Sequence, residues 1–223
     1  MTKTHTNDFD PNCDQCPRLA QFLEDVREQY PDYFAKPVPA FGDENARLCI
    51  VGLAPGMHGA NATGRPFTGD HAGILLYQTL YKYGFASAPE SLSADDGLKL
   101  INCRITNAVK CLPPENRPSA EEFSTCRPYL EKELQALKDL RVIIALGHGA
   151  HKSLLRLVQA QGLIKRMSEV PFGHGSSFLL SNGLRLVGCY HTSRYNVQTG
   201  RMNNQMFLEL LGQVKSLLER KNG

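Results

Sequence analysis

Four of the seven cysteines in the chain fall into two pairs with ligand-like spacing. Cys13 and Cys16 form a CxxC motif, whereas Cys111 and Cys126 are separated by a polar segment rich in Pro and Glu. Four thiolates suit either a tetrahedral zinc ion or an iron–sulfur cluster. Zinc sites usually combine two short CxxC pairs, so the wide second spacing favours a [4Fe–4S] cluster and leaves zinc as the alternative. The remaining cysteines lie in apolar strand patterns, which predicts buried core residues: Cys49, Cys103 and Cys189.

A glycine-rich segment, residues 52–70, combines accessible backbone N–H groups with a few chemically useful side chains. It contains neither GxxxxGK[ST] nor GxGxxG, which argues against the common mononucleotide- and dinucleotide-binding loops. Phe67 offers a face for a planar ring, and Arg65 offers a phosphate contact. Asp70 is suited to orienting a water molecule or stabilising a developing cation. The alternative for Asp70 is a helix cap, because a helix is predicted to begin near His71.

A polar loop at residues 191–201, HTSRYNVQTGR, is the third chemically distinctive segment. It combines His191 with hydroxyl groups and with two arginines, Arg194 and Arg201. A lone histidine at a strand end is more often structural than catalytic, but a histidine in a polar, basic loop is a better catalytic candidate. Arginine and serine side chains here suit phosphate contacts, which supply affinity rather than sequence choice.

Helices and strands alternate in the pattern that must position these three segments. Apolar periodicity predicts helices at residues 18–30, 71–83, 148–160 and 202–220, and strands at 47–53, 100–109 and 141–147. Ser119 and Glu122 resemble a capping box for a further helix ending near residue 138, and an Asn182-Gly183 turn predicts a hairpin. This order indicates a mostly parallel sheet covered on both faces. Sites in such sheets form beyond the carboxyl ends of the strands, here after Leu53, Asn107, Gly147 and Tyr190.

Composition points to one compact domain over residues 1–223, since 42% of the 223 residues are hydrophobic. The net charge of +3 averages two unlike parts, because residues 141–223 hold 11 basic and only 3 acidic residues. This excess suggests a polyanionic partner, with solvated helix faces as the alternative. No apolar run is long enough for a membrane helix, and the polar N-terminus lacks a signal-peptide core. We therefore expect a cytoplasmic monomer without a membrane contact.

Taken together, the segments resemble the uracil-DNA glycosylase superfamily, and within its iron–sulfur branch they are most similar to family 5 (type b). The resemblance is carried by four stretches in the expected order: Gly52-Leu53-Ala54-Pro55-Gly56, residues 58–70, Asn107-Ala108-Val109-Lys110-Cys111, and the closing loop at 191–201. With the cysteine pairs, the motifs extend from residue 13 to residue 201.

The resemblance implies a three-layer αβα sandwich with a central four-stranded parallel sheet. It also implies a structural [4Fe–4S] cluster on Cys13, Cys16, Cys111 and Cys126. The implied reaction is hydrolysis of the N-glycosidic bond of uracil in DNA, leaving an abasic site. Family 5 enzymes are broader than strict uracil excisers, so other deaminated bases such as hypoxanthine are expected substrates.

Site roles follow from the same resemblance. Three residues form the expected catalytic set. Asp70 is expected to stabilise the sugar cation and position water, His191 to donate a hydrogen bond to the departing base, and Asn107 to form hydrogen bonds with the base edge. The alternative for Asn107 is a strand-end Asn that bonds its own turn. Phe67 is expected to stack on a base flipped out of the helix. Further base or DNA contacts are assigned to Gly52, Ala54, Gly56, Arg65, Ser193, Arg194 and Arg201.

Two positions depart from related patterns. Leu53 stands where the neighbouring iron–sulfur family has Glu, which removes the usual water-activating carboxylate and directs attention to Asp70. Thr192 replaces the Pro of the common His-Pro-Ser motif, so we expect a less rigid loop.

Two other functions remain open at this level. A non-catalytic iron–sulfur protein that binds DNA or carries electrons explains the cysteines but gives the two polar loops no role. A zinc-stabilised nucleotide-binding module is the third possibility.

Overall fold

A computed structural model describes residues 9–220 of the chain. The helices are α1 (Pro17–Gln29), α2 (Ala60–Thr63), α3 (His71–Lys82), α4 (Ala120–Ala136), α5 (His148–Ala160), α6 (Arg194–Gln198) and α7 (Asn204–Glu219). The strands are β1 (Phe41–Gly42), β2 (Leu48–Gly52), β3 (Cys103–Asn107), β4 (Val142–Leu146), β5 (Ser177–Leu179) and β6 (Arg185–Cys189). Short 3₁₀ turns occur at Pro114–Asn116 and Met167–Glu169. Within this part of the chain, no helix is long and apolar enough to cross a bilayer.

The strands form one sheet in the order β1-β3-β2-β4-β6-β5. The four inner strands run parallel, which matches the expected central sheet. The two outer strands pair antiparallel with their neighbours, so the sheet has six strands rather than the predicted four. β1 has only two residues, too few to produce an apolar pattern in the sequence. β5 is the first strand of the predicted hairpin.

Helices cover both faces of the sheet, as the three-layer prediction requires. The side chains of β2 alternate between the faces, with Leu48 and Ile50 on one side and Cys49 and Val51 on the other. On the first side, α3 and α7 contribute Leu76, Leu80, Phe207 and Leu211 to the core. On the second side, α4 and α5 contribute Leu130, Leu134, Leu154 and Val158. Because both faces are covered, β2 and β4 are apolar and buried throughout, whereas β3 also buries the polar side chains Arg104, Thr106 and Asn107.

The capping box at the start of α4 is present as predicted. The Glu122 N–H donates to Ser119 Oγ at 3.2 Å, and the Ser119 N–H donates to Glu122 Oε2 at 2.7 Å. The same carboxylate forms an ion pair with Arg18 of α1 at 2.7 Å. This pair fixes α1 beside α4, and each helix brings a predicted cysteine ligand, Cys16 at the N-terminus of α1 and Cys126 within α4.

Candidate active site

One pocket at the carboxyl edge of the sheet collects most of the predicted site residues. It encloses about 430 Å³, a size suited to one small ligand. The predicted residues in its wall are Ala54, Gly56, Phe67, Asp70, Asn107, His191, Ser193 and Arg194. The loops after β2, β3 and β6 therefore meet at one place, as expected for a parallel sheet.

Asp70 is both a helix cap and a pocket residue. Its Oδ1 accepts a hydrogen bond of 2.9 Å from the Gly73 N–H, which caps α3. Burial raises the pKa of the Asp70 carboxyl, while hydrogen bonds from the backbone of Gly73 and Ala72 oppose the rise. The two sequence interpretations of this residue are thus compatible, because the capping oxygen is Oδ1 and Oδ2 faces the glycine-rich loop.

Two glycines leave the space that these side chains occupy. A Cβ added at Gly59 would lie 2.5 Å from Asp70 Oδ2. A Cβ added at Gly52 would collide with Asn107 Oδ1 and would lie 2.6 Å from the Phe67 ring. The glycine-rich segment therefore serves as a close-fitting backing for the carboxylate, the amide and the ring.

Asn107 ends β3 with an unsatisfied buried oxygen. The residue is only 3% exposed, and Oδ1 has no hydrogen-bond partner among the described residues. An orphaned buried acceptor is costly, so its presence in a pocket wall indicates a partner supplied by a ligand. The alternative, an amide that bonds its own turn, has no support for this oxygen.

His191 lies at the end of β6 with its ring 6.1 Å from the Phe67 ring, centroid to centroid. Burial lowers the pKa of His191 to about 4, so the imidazole is neutral at physiological pH. A neutral ring still carries one N–H donor. It is therefore suited to donating a hydrogen bond without bringing a positive charge into the pocket.

Thr192 anchors the loop that the sequence predicted to be less rigid. It is fully buried, and its hydroxyl donates a hydrogen bond of 2.9 Å to the carbonyl of Ala72 in α3. The adjacent His191 carbonyl accepts a hydrogen bond of 2.8 Å from the Asn196 side-chain amide. These bonds tie the His191 loop to the helix capped by Asp70, so the loss of Pro is compensated by polar contacts.

Arg65, the predicted phosphate contact, is not among the described residues that line the pocket. Arg65 is 4% exposed, and its guanidinium donates to both carboxylate oxygens of Asp96, at 2.9 and 2.5 Å. It also donates to Thr68 Oγ1 and Ser91 Oγ. With these acceptors engaged and the side chain buried, Arg65 holds the glycine-rich segment to residues 91–96 rather than facing a ligand.

The predicted DNA contact Arg201 is exposed and lies outside the pocket wall. Its guanidinium stands 5.0 Å from the centre of the Tyr190 ring, a cation–π distance. The prediction for Arg201 therefore concerns the outer surface beside the pocket and not the pocket itself.

Five residues of the described wall were not predicted as site residues: Leu53, Ala60, His71, Ala72 and Asn116. His71 follows Asp70, and its Nδ1 is a second buried atom without a partner in the part of the chain that the structure describes. Asn116 comes from the 3₁₀ turn with a left-handed φ of 56°. Adjacency to Asp70 was a usable signal for His71, whereas no local pattern places Asn116 at the pocket.

A second pocket gathers the four predicted cysteine ligands. Cys13, Cys16, Cys111 and Cys126 line it together with the largely apolar side chains Phe9, Leu19, Ala20, Pro37, Val109, Lys110, Thr125 and Tyr129. Among residues 9–220, no three or more His, Cys, Asp or Glu side chains are grouped to hold a metal ion. The four cysteines, which come from three separate segments of the chain, line one pocket together.

The donor chemistry of the cysteine pocket also fits an iron–sulfur cluster. The N–H of Lys110 donates to Cys126 Sγ at 3.3 Å, and hydrogen bonds to cluster sulfurs are typical of such sites. Burial raises the pKa of the thiols of Cys16, Cys111 and Cys126, the last to about 11. Cys49, Cys103 and Cys189 are buried in the core, as predicted.

Comparison with known proteins places this architecture in one family. The model of the family described as "Uracil DNA glycosylase superfamily" matches residues 39–215. The chain is 47% identical to the type-5 uracil-DNA glycosylase of Thermus thermophilus, with 92% of this chain and 93% of the relative covered. It is 43% identical to the type-5 enzyme of Mycobacterium bovis, over 92% of this chain and 78% of the relative. A type-4 enzyme of Pyrobaculum aerophilum is 37% identical over 66% of this chain and 61% of its own.

Proposed function

The chain belongs to the uracil-DNA glycosylase superfamily, and from that premise we propose that it excises uracil from DNA by hydrolysis and leaves an abasic site. It is a DNA-repair N-glycosylase, and it acts on a base that has left the helical stack. The single observation that carries the assignment at this site is the pairing of an orphaned amide oxygen, Asn107 Oδ1, with a carboxylate and a neutral imidazole around one pocket.

Base recognition is assigned to Asn107 and Phe67. The Asn107 amide offers an acceptor and donors, which match the alternating donor and acceptor groups on the edge of uracil. A bound base would satisfy the oxygen that now lacks a partner. Phe67 forms the adjacent wall and offers its ring for stacking.

Bond cleavage is assigned to Asp70. As the N-glycosidic bond breaks, positive charge develops on the sugar and the bonding electron pair leaves with the base. An ionised Asp70 stabilises that cation and orients the water that adds to the sugar carbon. Leu53 offers no carboxylate at the position used by the neighbouring family, and among the described residues of the pocket wall Asp70 alone has one, so this role falls to Asp70.

Stabilisation of the departing base is assigned to His191. Because burial keeps the imidazole neutral, its N–H stabilises the negative charge on the base by hydrogen bonding, and full proton transfer is not required. Among the described residues of the pocket wall there is no lysine. A hydrolytic, monofunctional reaction is therefore favoured over one that passes through a Schiff base and cuts the strand.

A [4Fe–4S] cluster held by Cys13, Cys16, Cys111 and Cys126 is part of the proposal. The apolar cysteine pocket and the N–H donor of Lys110 support it. When bound, the cluster supplies structural cross-linking rather than redox chemistry. It would join the start of α1, the segment after β3 and α4. Zinc is the alternative ligand of the four cysteines, and metal analysis of the purified protein distinguishes it from an iron–sulfur cluster.

Hypoxanthine and related deaminated bases are included as further substrates, and a cytoplasmic monomer is the proposed form. A non-catalytic iron–sulfur protein would need neither the orphaned amide nor the buried carboxylate. The pocket therefore favours catalysis over that alternative.

The proposal is tested with oligonucleotides that carry uracil, hypoxanthine, xanthine or mismatched thymine, each in single- and double-stranded form. We expect abasic sites from uracil and hypoxanthine, detected as alkali-labile breaks, and no breaks before alkali treatment. Purified protein is expected to be brown and to contain iron and acid-labile sulfide. Intact uracil DNA after prolonged incubation with iron-replete protein would exclude the proposed activity.

A further inference from the structure

A buried ion pair adjoins the strand end that carries Asn107. Lys110 is 1% exposed and Glu133 of α4 is 6% exposed, and Lys110 Nζ lies 2.5 Å from Glu133 Oε2. The Thr106 hydroxyl donates to the same oxygen at 2.7 Å and accepts a hydrogen bond from Lys110 Nζ. One carboxylate oxygen of α4 therefore receives both a hydroxyl and an ammonium group, and we call these three side chains the α4 brace.

The α4 brace closes a short loop of chain. Thr106 and Lys110 flank residues 107–109, so the single Glu133 carboxylate holds both ends of that segment. Within the segment, the N–H groups of Ala108 and Val109 donate to the carbonyls of Gly52 and Leu53, at 2.9 and 3.0 Å. The backbone beside Asn107 is thus fixed from two directions, by the glycine-rich segment and by α4.

Stability alone does not explain such a pair. Burying a charged pair costs desolvation, and apolar side chains of similar volume often stabilise a core equally well. The network does something that apolar packing would not do, because hydrogen bonds impose a direction on the groups they join. The Asn107 amide next to the α4 brace needs a fixed direction, since its oxygen lacks a partner within the described protein and is assigned to the base.

We propose that Glu133 is a positioning residue, which acts through Thr106 and Lys110 to hold the Asn107 amide in the orientation that reads the flipped base. The inference depends on the proposed role of Asn107 in base recognition. Glu133 is not among the described residues that line the pocket. Its effect is on how well the base is held for cleavage, and a small displacement of such a group is enough to slow a reaction strongly.

A matched pair of variants tests the proposal. Thr106→Val removes the hydroxyl at nearly constant volume, whereas Thr106→Ser keeps it. We expect the valine variant to lower kcat for uracil excision by about 10-fold or more, with little change in KM and in affinity for abasic product DNA. The serine variant is expected to restore most of the rate. Equal rates for the valine variant and the wild type would overturn the proposal.

The double variant Lys110→Met/Glu133→Leu separates positioning from stability. Replacing both partners avoids a lone buried charge, so the protein is expected to fold with a Tm near that of the wild type, yet to remain slow in excision. Full activity in this folded variant would overturn the proposal. Iron content per chain is measured in every variant, and a slow variant that has also lost iron would assign the α4 brace to the cysteine pocket instead. A wild-type protein without uracil excision would refute the proposed function itself.

Discussion

Asn107 and Cys111 lie four positions apart on one segment, yet they face two pockets of opposite character. The base pocket leaves buried polar atoms without partners, Asn107 Oδ1 and His71 Nδ1, within the region that the structure describes. The cysteine pocket is largely apolar, and one of its sulfurs, Cys126 Sγ, accepts a backbone N–H. In the proposed function, a segment of five residues thus serves two kinds of ligand.

We attribute the difference between the two pockets to how long each proposed ligand would stay bound. A base that must enter and leave is recognised by hydrogen-bonding groups that remain free between turnovers, and the protein bears the cost of their burial. A cluster that stays bound joins soft donors in a dry environment and can contribute to folding. Changes in the base pocket should therefore alter rates, whereas changes in the cysteine pocket should alter stability.

Asp70→Asn should give the largest rate effect. Asparagine keeps the cap on α3 but does not stabilise a sugar cation, so single-turnover excision is expected to fall by about 10²- to 10⁴-fold. DNA affinity, measured by fluorescence anisotropy, should change little. Because the pKa of Asp70 is raised in the folded protein, its ionisation costs stability above that pKa. The Tm of the variant at neutral pH is therefore expected to equal or exceed that of the wild type, and a marked decrease would contradict this account of the pocket.

His191→Ala should slow excision less, by about 10²-fold, through loss of one donor. The pH profile adds a sharper test. With the pKa of His191 at about 4, the imidazole does not titrate between pH 5 and 9. We therefore assign an acid limb above pH 5 to Asp70, whose pKa is raised by burial, and activity is expected to fall as the pH drops through that raised pKa. Retention of this acid limb in His191→Ala supports the assignment to Asp70, whereas its disappearance would show that the limb reports the titration of His191.

Cys126→Ser should affect stability more than chemistry. Serine is a poor ligand for iron, so iron content and visible absorbance are expected to fall, with a decrease in Tm of about 5 °C or more. The folded fraction should still excise uracil within about 10-fold of the wild-type rate, since the two pockets share no described lining residue. The matched control is Cys189→Ser, a buried cysteine away from the pocket, which should leave the iron content unchanged. A Cys126→Ser protein that is stable, iron-replete and inactive would contradict the expectation that changes in the cysteine pocket alter stability and changes in the base pocket alter rates.

Local patterns in the sequence predicted most of the fold and much of the site. The periodicity of residues 71–83 predicted α3, and Asp70 was recognised as its possible cap, because both signals depend on neighbours in the chain. β1 and the four-residue helix α2 are too short to leave such a pattern.

Long-range contacts account for what the sequence did not reveal. The role of Arg65 depends on Asp96, 31 positions away, and that of Thr192 depends on Ala72, 120 positions away. Motif spacing contains no information about such partners. Asn116 reaches the base pocket only through the path of the loop between the two cysteines Cys111 and Cys126.

The glycine at position 52 limits how this enzyme could acquire a new substrate. Because a single methyl group there would meet both Asn107 and Phe67, the back of the pocket has no room for gradual enlargement of a side chain. A lineage that shifts from uracil to a bulkier or differently substituted base would have to replace Asn107 or Phe67, the residues assigned to base recognition. Selection experiments for altered base preference should therefore yield substitutions at Asn107 or in the loops at the pocket mouth, and never a larger residue at Gly52 alone.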